Sequence, residues 1–331
     1  MTPVLEVAEL NVTFGATRAV NAVSLHVNPG ETHCLVGESG CGKSAACLAI
    51  MGLLNRGAHR TARHIRFRGM DLMQLSEREM ARLRGNRMAM IFQDPMTSLN
   101  PAYTVASQMV EVLRRHRRAS RRQALNRAAE LLHRVGVESP GARLQQFPHE
   151  LSGGLRQRVM IAMSLMCEPD LLVADEPTTA LDVTVQAQIL RLLRQLQREL
   201  GLAMLLITHD LGVVAHVADR VSVMYGGEVL ESAPVASLFS QPAHPYTRGL
   251  LGCVPVLGQT RKDRPLSTIP GSVESITHDS VGCPLRNRCE LAAAHCVQNP
   301  PLRSVQQDHT YRCHFPATLA LERSPGEVPC R

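Results

Sequence analysis

Residues 37–44 read Gly-Glu-Ser-Gly-Cys-Gly-Lys-Ser, and no other stretch limits the possible folds so tightly. The apolar run Cys34–Val36 leads into it and "AACLAIMGLL" follows, so G-x-x-x-x-G-K-S sits between a strand and a helix. Gly37, Gly40 and Gly42 let backbone N–H groups turn inward, and the helix N-terminus behind them favours negative charge. Phosphates fit such a cradle, with Glu38, Ser39 and Cys41 completing the loop. Lys43 is expected to reach the β- and γ-phosphates of a nucleotide, and Ser44 to place its hydroxyl on Mg2+. A chain built on this unit is α/β, with its ligand outside the carboxyl ends of the strands.

A second motif supplies the chemistry that a bound triphosphate needs. In "LLVADEP" four apolar residues read as a buried strand, with Asp175 and Glu176 at its carboxyl end. Asp175 suits Mg2+, directly or through water, and Glu176 suits a general base that polarises water. A mere cap on "PTTALD" is the competing role for Glu176. A third motif, "LSGGLRQR" at residues 151–158, precedes "VMIAMSLM", which has helical apolar spacing. Ser152, Gly153 and Gly154 thus stand at a helix start, a second place where a hydroxyl and bare N–H groups can bind phosphate. An ordinary Ser-capped helix is the alternative.

Taken in order, these motifs resemble the ATP-binding cassette family, in which LSGGQ-type signatures complete the ATP site of a facing subunit. The resemblance implies an α/β P-loop NTPase fold: a RecA-like core, a β subdomain and a helical subdomain. It further implies that Phe14 stacks on adenine and that Gln93, in "MIFQDPMTSLNP", contacts Mg2+ and the attacking water. Asp182, in "TTALD", takes the D-loop position, and His209, in "LLITHD", takes that of the switch histidine at the γ-phosphate. Leu155 stands where Gln or Met is usual, Thr179 where Ser is common, and Phe14 replaces a more frequent Tyr. None of these changes removes a catalytic group. One phosphate loop and one signature occur in 331 residues, so a complete site requires two cassettes.

Along the chain, residues 1 to about 90 read as short strands and turns, with "NPGE" a turn before the loop strand. Residues 94–165 read as the helical subdomain, and "RVSVMYGGEVLES" as a hairpin turning at Gly226-Gly227. We place the nucleotide-binding domain at residues 1–232 and a small loop-rich C-terminal extension at 233–331. Nine of the twenty prolines fall after residue 250, so something other than a large core is expected to hold this tail. Its "QPAHPYTRGLLGCVP", "IPGSV" and "GCPLRNRC" resemble the extension of ATP-binding subunits from dipeptide, oligopeptide and nickel importers.

The tail also carries Cys283-x5-Cys289-x6-Cys296-x16-Cys313. Structural zinc sites use closer cysteine pairs, and iron–sulfur clusters tolerate varied spacings. Unmetallated thiols complete the alternatives. The four positions match those holding a [4Fe–4S] cluster in some dipeptide importer subunits. The resemblance implies ATP and Mg2+ as ligands. It also implies a second ATPase subunit, either another copy of this chain or a related ATPase as a heterodimer, two transmembrane permease subunits and a periplasmic or extracellular substrate-binding protein.

Charge and composition bound the remaining classes. No secretory signal and no apolar run of about 20 residues is visible, so a cytosolic chain is expected, and the resemblance implies a place at the cytoplasmic face of the inner membrane. The net charge of +7 owes much to Arg114, Arg115, Arg117, Arg118, Arg121, Arg122 and Arg127, either a solvated helix face or a surface for anionic lipid. A soluble cassette protein acting on ribosomes or DNA is the rival class. Nucleic acid is not the expected partner, because the second cassette or long coiled-coil insertion common there is not visible. Nickel or a metallophore is the alternative cargo to peptides.

Overall fold

The computed structural model describes residues 2–179, 181–254, 268–272, 277 and 280–317. The chain forms two compact units, each assembled from separated segments. The first comprises 1–6, 26–32 and 66–207, and the second 7–25, 33–65 and 208–331.

In the first unit three parallel strands, Met88–Ile91, Leu171–Asp175 and Ala203–Thr208, lie side by side, with Met88 opposite Leu171 and Leu171 opposite Ala203. Every residue of Leu171–Asp175 and Ala203–Thr208 is buried, which explains their unbroken apolar runs. Asp170, just before the middle strand, pairs with Arg68 and Arg87. Between the strands Met88–Ile91 and Leu171–Asp175 the chain of this unit is mostly helical. Thr104 caps the helix Val105–His116 by accepting from the Ser107 N–H at 3.3 Å, and Ser120 forms a capping box with Gln123 at the start of Arg121–Arg134. The two helices bury apolar residues at i, i+4 spacing, Val105 and Met109 on one, Ala124 and Ala128 on the other. Arg114, Arg115, Arg117, Arg118, Arg121 and Arg122 are exposed around the turn between them. Arg127 instead turns inward and pairs with Glu130 at 2.8 Å and Glu168 at 2.9 Å.

In the second unit the strand Thr32–Val36, which feeds the phosphate loop, pairs in parallel with Arg220–Tyr225. Arg220–Tyr225 then turns back antiparallel as Glu228–Pro234, with Gly226 and Gly227 at φ 53° and 80°. A hairpin turn of this hand needs positive φ at both central positions, which glycine adopts without steric cost. The opening strands are longer than the sequence reading anticipates: Leu5–Phe14 has ten residues and Thr17–Val27 eleven.

The tail is held by the sheet itself. His309–Arg312 pairs antiparallel with Glu228–Pro234, and Leu302–Gln306 pairs with His309–Arg312. Glu231 is fully buried at this seam, where it accepts from the N–H groups of Ala243 at 2.7 Å and His244 at 2.8 Å and pairs with His309 at 2.7 Å. A small apolar cluster of Ala243, Tyr311 and Cys313, with Phe315 and Ala317 against it, closes the tail. Among the described residues no helix is long and apolar enough to cross a membrane.

Candidate active site

The second unit carries the phosphate loop, Phe14 and His209. Lys43 opens the helix Lys43–Met51, and its ammonium folds onto its own loop, donating to the carbonyls of Gly37 at 2.8 Å and Glu38 at 2.9 Å. Those bonds keep a buried cation solvated by the protein and place it at the loop's mouth. Two glycines are fixed by close approach. A Cβ on Gly37 would stand 2.1 Å from the Met224 carbonyl oxygen, and one on Gly42, where φ is 100°, 2.1 Å from that of Ala19. Cys41 is buried in the loop, and its thiol is pushed up by burial while Lys43 pulls the other way. Phe14 ends its strand 41% exposed, an aromatic face open to a flat ligand. Past the strand Ala203–Thr208, His209 is exposed and Asp210 caps the next helix, accepting from the Gly212 N–H at 2.8 Å.

The first unit carries Gln93, Asp175, Glu176, the signature and Asp182. Asp175 ends its strand almost wholly buried, and Glu176 follows at φ 43°, a left-handed conformation rare for a residue with a side chain. The Glu176 N–H donates to the Ile207 carbonyl at 3.1 Å, which pins the turn. Its carboxylate accepts from the Gln93 amide at 3.1 Å and the Thr179 hydroxyl at 2.9 Å, both on Oε2. The structure therefore brings Gln93 and Glu176 together although 83 residues separate them. Thr179, noted in the sequence only as a departure, holds Glu176 with a hydroxyl that Ser would also supply.

Ser152 caps the helix Gly153–Ser164, accepting from the Leu155 N–H at 3.4 Å, and Ser152 and Gly153 remain exposed. Gly154 has a packing role that sequence reasoning missed: a Cβ there would lie 3.0 Å from Cγ1 of Val185. Asp182 caps the helix Val183–Leu200, accepting from the Val185 N–H at 2.9 Å. The signature and D-loop helix starts are thus packed on one another.

The nine described cysteines are all free thiols. Burial pushes the Cys283 thiol up to about 12 and raises Cys289 and Cys313 as well, and each is raised further by other members of the set. Cys283, Cys289, Cys296 and Cys313 therefore share one neighbourhood. No group of three or more His, Cys, Asp or Glu side chains among the described residues is arranged to hold a metal ion, so the four do not form a ready-made site.

Comparison with known proteins places these parts. The ABC transporter family matches residues 20–179, and the family described as "Oligopeptide/dipeptide transporter, C-terminal region" matches residues 230–296. The dipeptide transport ATP-binding protein DppD of Bacillus subtilis (strain 168) is 48% identical over 319 residues, covering 95% of each chain. That of Escherichia coli (strain K12) is 46% identical over 317 residues, covering 94% of this chain and 96% of its own. The ATP-binding cassette MJ0796, solved as a dimer in a post-hydrolysis state with ADP and Pi, superposes with a TM-score of 0.63 at 27% identity, covering 70% of this chain and 98% of that one. The chain accordingly belongs to the ABC transporter family, and it carries the C-terminal region of that family's oligopeptide/dipeptide transporters.

Proposed function

We infer that this chain is the ATP-hydrolysing subunit of an ABC importer that takes up peptides. Near full-length kinship with dipeptide transport ATP-binding proteins carries the reading. Residues 1–232 form the nucleotide-binding domain and 233–331 the extension.

In this reading Gly37–Ser44 cradle the phosphates of ATP, Lys43 shifts from its own loop carbonyls to the β- and γ-phosphates, and Phe14 stacks on adenine. Mg2+ takes hard oxygen donors, and the Ser44 hydroxyl, the Asp175 carboxylate and the Gln93 amide would each supply one. The ion, when bound, neutralises charge on the phosphates. Glu176, steadied by Gln93 and Thr179, takes a proton from water as its oxygen bonds to the γ-phosphorus and the bond to ADP breaks. His209 contacts the γ-phosphate. Ser152, Gly153 and Gly154, with Asp182, serve the ATP of a second cassette, for which the exposure of Ser152 and Gly153 leaves room. That second cassette is a related ATPase, giving a heterodimer.

Two permease subunits and a substrate-binding protein complete the importer, and the chain sits on the cytoplasmic face of the membrane. Six exposed arginines support contact with anionic head groups there. Cys283, Cys289, Cys296 and Cys313 hold a [4Fe–4S] cluster. Their four thiols are the soft donors such a group takes, and it would staple a tail whose core is small. Anaerobic purification with iron and zinc analysis tests this: a colourless, iron-free chain sinks the cluster.

The function is tested by uptake. Cells lacking the chain should regain uptake of labelled dipeptide with the wild-type gene and not with Lys43→Ala. Dipeptide uptake that persists without the chain, while nickel or metallophore uptake fails, would reassign the cargo. Co-sedimentation with ribosomes at moderate salt instead of with membranes would reject the importer.

A further inference from the structure

The phosphate loop is braced by residues from far along the chain. The Glu38 N–H donates to the Tyr246 hydroxyl at 3.2 Å. The Glu38 carboxylate accepts from Arg288 Nη1 at 3.1 Å on Oε1 and 3.0 Å on Oε2. The same guanidinium is fixed from every side. It donates from Nη1 to the Tyr225 hydroxyl at 3.3 Å, from Nη2 to the Ile269 carbonyl at 3.2 Å, and from Nε to the Pro270 carbonyl at 2.6 Å. Its central carbon lies 5.5 Å from the centre of the Tyr225 ring, and the Tyr225 and Tyr246 rings meet edge to face at 4.8 Å. The Arg288 side chain is only 6% exposed.

Glu38 is an awkward residue for its task. It stands second in a cradle meant for a polyanion, where its own charge opposes the ligand. Arg288 cancels that charge from a largely buried position, although the Glu38 side chain itself is 28% exposed. Because the carboxylate and the N–H of Glu38 are both held, the backbone that must present N–H groups to phosphate is held as well. Arg288 directly precedes Cys289, so the segment bearing the cysteines sets where the guanidinium stands.

We propose that Arg288 is a positioning residue of the nucleotide site: through Glu38 it shapes the phosphate loop and cancels the loop's own negative charge, so that ATP affinity depends on the folded C-terminal extension. This rests on residues 37–44 being the phosphate cradle for ATP. The extension is then a wall of the nucleotide site as well as an appendage of the importer.

The test is titration of the full-length chain with a fluorescent ATP analogue, alongside steady-state hydrolysis. Arg288→Ala should raise Kd and KM about tenfold, equivalent to about 1.4 kcal/mol, with kcat within about twofold. Adding Glu38→Gln removes the stranded carboxylate and should bring Kd back to within about threefold of wild type, a recovery that a purely structural arginine would not give. Arg288→Lys, which keeps the charge and loses the fork, should fall between. If Arg288→Ala does not fold, Arg288→Gln with and without Glu38→Gln makes the same comparison. An unchanged Kd on loss of Arg288, or no recovery with Glu38→Gln, overturns the proposal. A wild-type chain that does not bind the analogue overturns the cradle itself, which separates the two failures.

Discussion

Glu231 offers the sharpest test of how the extension is joined to the nucleotide-binding sheet. Its carboxylate has no solvent exposure and takes three donors, the Ala243 N–H and His309 Nε2 on Oε1 and the His244 N–H on Oε2. Glu231→Gln conserves shape, but its NH2 must face at least one of those backbone N–H groups, whichever way the amide turns. One buried donor is then orphaned, at about 1–3 kcal/mol, and the remaining bonds lose their charge assistance, for a total of about 2–4 kcal/mol. At about 1.4 kcal/mol per factor of ten, hydrogen-exchange protection of the Ala243 and His244 amides should fall about 30- to 1000-fold. Amides of the strand Leu171–Asp175, in the other unit, serve as the control and should keep their protection. A fall of less than about threefold at Ala243 and His244 would refute the argument that this carboxylate secures the tail.

Two further predictions follow from burial and close packing. Burial lowers His244 from 6.5 to about 4, outweighing the attraction of Glu231. The unfolded chain therefore binds the extra proton first, and stability present above pH 6.5 is lost as pH falls towards 4, by up to about 3 kcal/mol. His244→Asn keeps a side-chain cap for the helix Pro245–Gly252 and should flatten that pH profile in a denaturant titration; an unflattened profile would assign the loss to other groups. Gly154→Val should push against Val185 and cost about 1–3 kcal/mol of thermal stability, partly recovered by adding Val185→Ala, and a neutral Gly154→Val would show the contact to be slack.

The parts of the chain that could be read in advance are those whose physics is local. A strand, a glycine loop and a helix start follow one another within residues 32–51, and the Gly226-Gly227 turn announces its hairpin. Asp175 and Glu176 declare themselves at the end of a fully buried strand. What escaped notice depends on pairs distant in sequence. The Glu231–His309 pair spans 78 residues and the Glu38–Arg288 pair 250, and neither leaves a local pattern. The strand Leu302–Gln306 is exposed along its whole length, so it shows none of the alternation that marks a half-buried strand, and the tail read as loop. Gly154 reads as bare backbone in the sequence because its tight neighbour Val185 lies on a different helix. Thr179 was visible as a substitution, yet its bond to Glu176 emerges only from the fold.

The claim on which the enzymology turns is that Glu176, held at 3.1 Å by Gln93, accepts the proton of the attacking water. Steady-state ATP hydrolysis by Glu176→Gln, measured with nucleotide binding on the same preparation, tests it most directly. The account predicts ATP affinity near that of wild type with turnover reduced about 100- to 10,000-fold, the range expected for loss of a general base. Turnover close to wild type in that variant would contradict it.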